Sequence, residues 1–186
     1  MRRKLVPAVV VVLAAAVIVL LAYGLTQEGS SRALDDAIAH HHPLPAPDSA
    51  RPLPVLDRVH ASSAALAHWR GKVVVLNFWA SWCSTCTGEA RLIERAERSL
   101  AASGKGTVLG VDYEDASFKA MGFINQYAFT FPNLRDADGS FADAFGTVAL
   151  PETFVLNRSQ RVVALYRGPV TSWASLRSAI ALAERA

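Results

Sequence analysis

The sequence is poor in sulfur. Cysteine occurs only twice in 186 residues, at Cys83 and Cys86. A small secreted domain stapled by several disulfides is therefore excluded. A closed zinc site takes four protein ligands and an open one three. Two cysteines supply half of a closed site, no second C-x-x-C exists, and no histidine lies at a helpful local spacing. No cysteine ends the N-terminal apolar run either, so no thiol is there to carry a lipid. An excess of one charge is also lacking beyond the N-terminus. Three of the 19 basic residues come before Leu5, and from Glu28 onward 16 basic residues face 16 acidic ones. Nucleic acid is not an expected partner of such a surface. No internal repeat occurs.

Charge is absent again from Leu5 to Leu25, a run of 21 residues. As a helix it spans about 30 Å, the thickness of a bilayer core. Arg2, Arg3 and Lys4 precede it and hold the N-terminus on the cytoplasmic side. The expectation is an uncleaved transmembrane helix within residues 1–27, with everything beyond it outside the cytoplasm. The competing reading is a signal peptide cleaved near Ala22-Tyr23-Gly24. Against it stands a run longer than the usual apolar region of about 7–15 residues.

Residues 28–50 read as a linker, with Gly29-Ser30-Ser31 followed by Pro43, Pro45 and Pro47. His40-His41-His42 lies inside it. Neighbouring side chains on an extended chain point apart, which argues against a metal there.

The folded domain is expected over residues 51–186. Leu53 to His60 predicts a short hairpin, and Ser62 or Ser63 caps a short helix through Trp69. Val73–Trp79 is apolar and β-branched, the pattern of a central buried strand. From Cys86 to Ala102 the pattern turns helical. Leu92, Ile93, Ala96 and Leu100 share a face, with Glu94 and Glu97 off it, and Ser103-Gly104 stops the helix. Thr107–Tyr113 is a second strand. Asp115 caps a helix whose Phe118, Met121, Ile124 and Tyr127 read as core. Ser140–Phe145 is a short helix. Thr153–Leu156 and Arg161–Tyr166 form a hairpin. Ser172 caps a last amphipathic helix. This order implies an α/β fold: a mixed central sheet with helices on both faces.

The cysteines sit where the buried strand ends and a helix begins. Unpaired N–H groups and the positive end of the dipole stabilise a thiolate there. A bridge over two intervening residues closes a very small loop and constrains the unfolded chain little. It is better placed to open and close than to stabilise. Cys83 is expected to be the exposed attacking thiol. Cys86, one turn on, is expected to be the buried resolving one. Trp82 is expected to line a substrate groove, and Trp79 to pack inside.

W-C-x-x-C between an apolar strand and a helix resembles the thioredoxin fold. V-V-V-L-N-F-W-A-S-W-C, the glutamate three residues after the second cysteine, and A-L-P-E-T-F-V-L-N together resemble the TlpA/ResA-type membrane-anchored thiol–disulfide oxidoreductases, which include proteins of cytochrome c maturation. The resemblance implies a cis peptide before Pro151, beside the disulfide, with the Leu150 backbone turned toward a substrate strand. It implies that Glu89 is partly buried, has a raised pKa and exchanges a proton with Cys86. Asn77 stands where many thioredoxins carry a buried aspartate. Thr85 departs from the proline usual before the second cysteine, and so bears on the redox potential.

The expected function is a membrane-anchored disulfide reductase outside the cytoplasmic membrane, with no cofactor beyond the Cys83–Cys86 pair. The expected clients are protein disulfides such as that of an apocytochrome c. The expected electron donor is a transmembrane thiol carrier. One alternative is a disulfide-forming oxidase using the same pair. Another is a thiol peroxidase, whose P-x-x-x-T-x-x-C motif is missing, with Ala80 at the threonine position. A third is a binding module with a structural disulfide.

Overall fold

The computed structural model describes residues 12–20, 33–56 and 62–186. Its strands are β1 (Leu44–Pro45), β2 (Leu53–Pro54), β3 (Ser63–Ala64), β4 (Val73–Trp79), β5 (Gly106–Tyr113), β6 (Asn133–Asp136), β7 (Glu152–Leu156) and β8 (Arg161–Arg167). Its main helices are α1 (residues 33–39), α2 (Cys86–Ser103), α3 (Ser117–Tyr127), α4 (Ser140–Ala144) and α5 (Trp173–Arg185).

Every residue of β4 is buried, as its uncharged sequence requires. It lies inside a six-stranded sheet of order β1-β8-β7-β4-β5-β6. β4, β5 and β6 run parallel, whereas β7 is antiparallel to β4 and β8 to β7. The α2 crossover joins β4 to β5, and α2 ends at Gly104 in the left-handed conformation that glycine adopts without cost. On one face Ile93, Leu100, Leu176 and Ile180 from α2 and α5 pack on Val73, Val75 and Val155. On the other, Phe78, Phe141, Phe145 and Phe154 form an aromatic cluster with centroids 5.0–6.0 Å apart. The mixed sheet covered on both faces is as the sequence implies.

Several boundaries differ for physical reasons. The stretch expected as linker contains α1, where Leu34 and Ile38 at helical spacing pack onto the core and Leu34 is only 3% exposed. Leu44–Pro45 adds an edge strand to β8. Ser63–Ala64 pairs with β2 instead of capping a helix, and the following turn, Leu66–Trp69, is a 3-10 helix begun at Ala65. Asp57 to Ala61 of the expected hairpin lie outside the described residues. β6 escaped the sequence reading because Asn-Leu-Arg-Asp carries a single apolar residue. Phe118, expected in the core, is exposed, and the buried stripe of α3 is Ala120 and Phe123. Asp115 is not the N-cap of α3; Ala116 is. Glu94 and Glu97 are buried because they take hydrogen bonds from Thr130 and from Thr107 and Val108.

Residues 12–20 are helical, and the remainder of the Leu5–Leu25 run lies outside the described residues. Among the described residues no helix is long and apolar enough to cross a membrane.

The placement of α1 has a measurable consequence. Leu34→Ala in the purified full-length protein should lower unfolding free energy by about 2–5 kcal/mol in a denaturant titration, the cost of a buried leucine. A linker residue would show no change.

Candidate active site

β4 ends at Trp79, the chain turns through Ala80–Thr85, and α2 starts at Cys86. Cys83 and Cys86 are joined as a disulfide with their Cα atoms 5.3 Å apart. The Cys86 N–H, one of the donors that a helix start leaves without a helical partner, points at Cys83 Sγ from 3.1 Å. A charged acceptor there strengthens that bond, so a thiolate at Cys83 is stabilised.

The Thr85 hydroxyl lies 3.4 Å from Cys83 Sγ and donates to the Leu150 carbonyl at 3.3 Å. It has one proton for two acceptors. Against a disulfide sulfur the carbonyl wins; against a thiolate the charge favours the sulfur.

Cys83 was expected to be exposed, and it is not: it is 4% exposed against 2% for Cys86. Trp79, Ala80, Ala90, Ala120 and Phe123 form one buried cluster with the two cysteines, and Leu150 packs against it. The exposed neighbour is Trp82, at 56%.

The Leu150–Pro151 peptide is cis. Trp82 and Leu150 line a cavity of about 290 Å³ together with Tyr113, Thr147, Val148 and Ala149. Tyr113 meets Trp82 edge-on, with centroids 6.4 Å apart. Pro151 itself is buried. Sequence reading found Trp82 and Leu150 but missed Tyr113 and Val148. Their one signal was position, at a strand end and just before the proline loop.

Glu89 is fully covered, not partly buried as expected, at 2% exposure. Its Oε1 accepts from Asn77 Nδ2 at 2.7 Å and its Oε2 from the Val170 N–H at 2.7 Å. Burial pushes its pKa up to about 7, against the pull of those two donors. Asn77 also donates to Thr153 Oγ1 at 3.0 Å, so it ties β4, α2 and β7 together around the carboxylate.

A second buried carboxylate, Asp112, was missed altogether. It stands at the end of β5, in register with Trp79. Burial, with the Asp115 charge beside it, pushes it up to about 7. No group of three or more His, Cys, Asp or Glu side chains converges as a metal site among the described residues.

The comparisons with known proteins point the same way as this geometry. Thiol-disulfide oxidoreductase ResA of Bacillus subtilis is 28% identical over 117 residues, 63% of this chain and 65% of that protein. A thiol:disulfide interchange protein DsbE homolog of Paracoccus denitrificans is 34% identical over 99 residues, 53% of this chain and 52% of that protein. The chain thus spans less than two thirds of the length of these curated relatives. Among solved structures, a secreted thiol-disulfide isomerase from Corynebacterium glutamicum superposes with a TM-score of 0.64 at 28% identity, covering 72% of this chain and 83% of that one. A DsbF homologue from Corynebacterium diphtheriae gives a TM-score of 0.65 at 26% identity, covering 75% and 87%. These likenesses go with the thioredoxin-like α/β fold seen here. The Redoxin family model matches residues 45–180, from the first edge strand through most of α5, and the chain belongs to that family.

Proposed function

We propose that the chain is an extracytoplasmic, membrane-anchored thiol–disulfide oxidoreductase that reduces protein disulfides through Cys83 and Cys86. The observation that carries this reading is the closed disulfide at the β4–α2 junction, with the Cys86 N–H on Cys83 Sγ and the cis Leu150–Pro151 loop alongside. The names of the similar proteins, oxidoreductase, interchange protein and isomerase, support the class of reaction.

In the reduced domain the Cys83 thiolate attacks a client disulfide. The client S–S bond breaks, a mixed disulfide forms, and the departing client thiolate takes a proton. Cys86 then gives up its proton and attacks Cys83 Sγ. The second client thiol is released and protonated, and the domain is left oxidised. A dithiol donor restores it by supplying two electrons and two protons. Trp82 and Leu150 receive the client beside the sulfurs, and Pro151 shapes the loop. Glu89, half ionised near neutrality, takes the Cys86 proton. Because Glu89 is bonded to Asn77 and Val170, that transfer runs through a water or a small side-chain shift.

The client class implied by the TlpA/ResA resemblance is an apocytochrome c with a C-x-x-C-H haem site. The implied donor is a transmembrane thiol carrier. The anchor rests on the 21-residue uncharged run and on residues 12–20, a helix with Val12, Leu13, Val17, Ile18, Val19 and Leu20 all exposed.

A second reading, a disulfide-forming oxidase, is favoured by one feature, the Thr85 hydroxyl. A donor to the thiolate stabilises the reduced form and raises the potential. Hydrogen bonds to charged groups contribute roughly 1.5–3 kcal/mol, equivalent to about 30–60 mV for a two-electron couple. A shift of that size makes a milder reductant without reversing the reaction.

Three outcomes are expected. Cys86→Ser should accumulate mixed disulfides with clients on a non-reducing gel while Cys83→Ser does not; trapping by Cys83→Ser instead would exchange the two roles. Thr85→Val should make the potential more negative by about 30–60 mV in a glutathione or dithiothreitol equilibrium. An unchanged potential removes the hydroxyl from the account. Glu89 accepts a proton only when ionised, so resolution of the mixed disulfide should quicken as pH rises through about 7. Glu89→Gln should slow resolution and abolish that inflection, and an unaltered pH–rate profile would make Glu89 purely structural.

A further inference from the structure

β5 alternates its side chains between the two sheet faces. Val111 enters the aromatic core, so Asp112 turns to the opposite face, the one Trp79 shares with Cys83 and Cys86. There its carboxylate is 0% exposed, and neither oxygen has a hydrogen-bond donor among the described residues. An ionised carboxylate without donors in such a place is costly. The neighbouring donors are engaged elsewhere. The Trp79 indole N–H goes to Asn133 Oδ1 at 3.1 Å. Arg135, in register with Asp112 on β6, gives Nη2 to the Asp115 backbone carbonyl at 3.0 Å, and its buried Nε has no partner among the described residues.

Asp115 is placed differently. Its Oδ2 accepts the Ser81 N–H at 2.7 Å and its Oδ1 the Ala116 N–H at 2.7 Å. It is also near enough to Asp112 for a proton on one carboxyl to bond to the other. Ser81 belongs to the short turn that carries Cys83.

We propose that Asp112 and Asp115 share one proton behind the Ala80–Trp82 turn, and that losing this proton weakens Cys83 as the attacking thiolate. With the proton in place, Asp112 is neutral and donates to Asp115, and the pair carries one negative charge. When solvent takes the proton, two negative charges face each other in a buried gap that Arg135 only partly offsets. That second charge opposes a third one on Cys83. Asp115 and Arg135 are the charged side chains that act on Asp112. Asp112 is thus a positioning residue that sets the charge behind the nucleophile, opposite in role to the proton acceptor assigned to Glu89. The inference rests on the redox reading of the cysteine pair.

The test uses the full-length protein reduced with dithiothreitol, which also reports whether the disulfide opens at all. A disulfide that stays closed refutes the redox reading, not the proton sharing. Glu89 titrates in the same range, so alkylation of Cys83 by iodoacetamide is followed against pH in the Glu89→Gln background. The expected profile of alkylation rate carries a second inflection near pH 7, above which it rises less steeply than a single thiol titration, because the added charge holds Cys83 protonated. Adding Asp112→Asn should remove the inflection and raise the rate just above pH 7 by several fold, the gain in thiolate outweighing the loss of intrinsic nucleophilicity. An inflection that survives Asp112→Asn, or none in the background protein, overturns the proposal. Should the variant fold poorly, the ¹³Cγ resonance of Asp112 in the oxidised wild-type protein decides. A midpoint near 7 supports the shared proton, and one near 4 overturns it.

Discussion

The site depends on one hydrogen-bond constraint, the unpaired N–H groups at the start of α2. α2 begins after the Ala80–Thr85 turn, with Thr85, Thr87 and Gly88 exposed around its start but Cys86 itself buried. One of those amides, on Cys86, is met by Cys83 Sγ. The sulfur that caps the helix is therefore also the sulfur best stabilised as an anion. Everything nearby serves that junction. β4 delivers the turn, Asp115 holds Ser81 within it, and Leu150 and Thr85 close it from the side.

Two buried carboxylates flank the junction with different surroundings. Glu89 is held by a donor on each oxygen, from Asn77 and Val170, whereas Asp112 has none. Burial raises both to about 7, but their accessible chemistry differs. Glu89 has the support to exist as an anion and so suits proton acceptance. Asp112, lacking it, holds its proton until a neighbouring charge or a rise in pH removes it. Both keep protons in the folded chain that the unfolded chain releases above about pH 4. Their contribution to folding stability therefore falls as pH rises from about 4 to about 7, because at these two groups the unfolded state binds fewer protons over that window.

What was legible in the sequence followed from patterns with one physical cause. Val73–Trp79 is uncharged because both sheet faces are covered, and the C-x-x-C after it marks the helix start. Leu-Pro before Glu-Thr-Phe marked the proline loop. What escaped needed tertiary information. α1 hid in a Pro- and Gly-flanked stretch because two residues, Leu34 and Ile38, carry its docking. The burial of Cys83 comes from α3 and from Leu150, both distant in sequence. Asp112 reads as an ordinary strand-end aspartate until β6 and the Ser81 turn are placed around it. Glu94 and Glu97 looked solvated because nothing in a helical wheel reveals the strand amide and hydroxyls that bind them.

The central claim is that Cys83–Cys86 is a working couple and not a fixed staple. Its reduction potential tests this most directly, by equilibrating the full-length protein with graded dithiothreitol or glutathione buffers and counting free thiols. The account predicts reversible two-electron behaviour with a midpoint between about −270 and −180 mV, the range of mild to moderate protein reductants. A midpoint below about −300 mV, where structural disulfides lie, would contradict it.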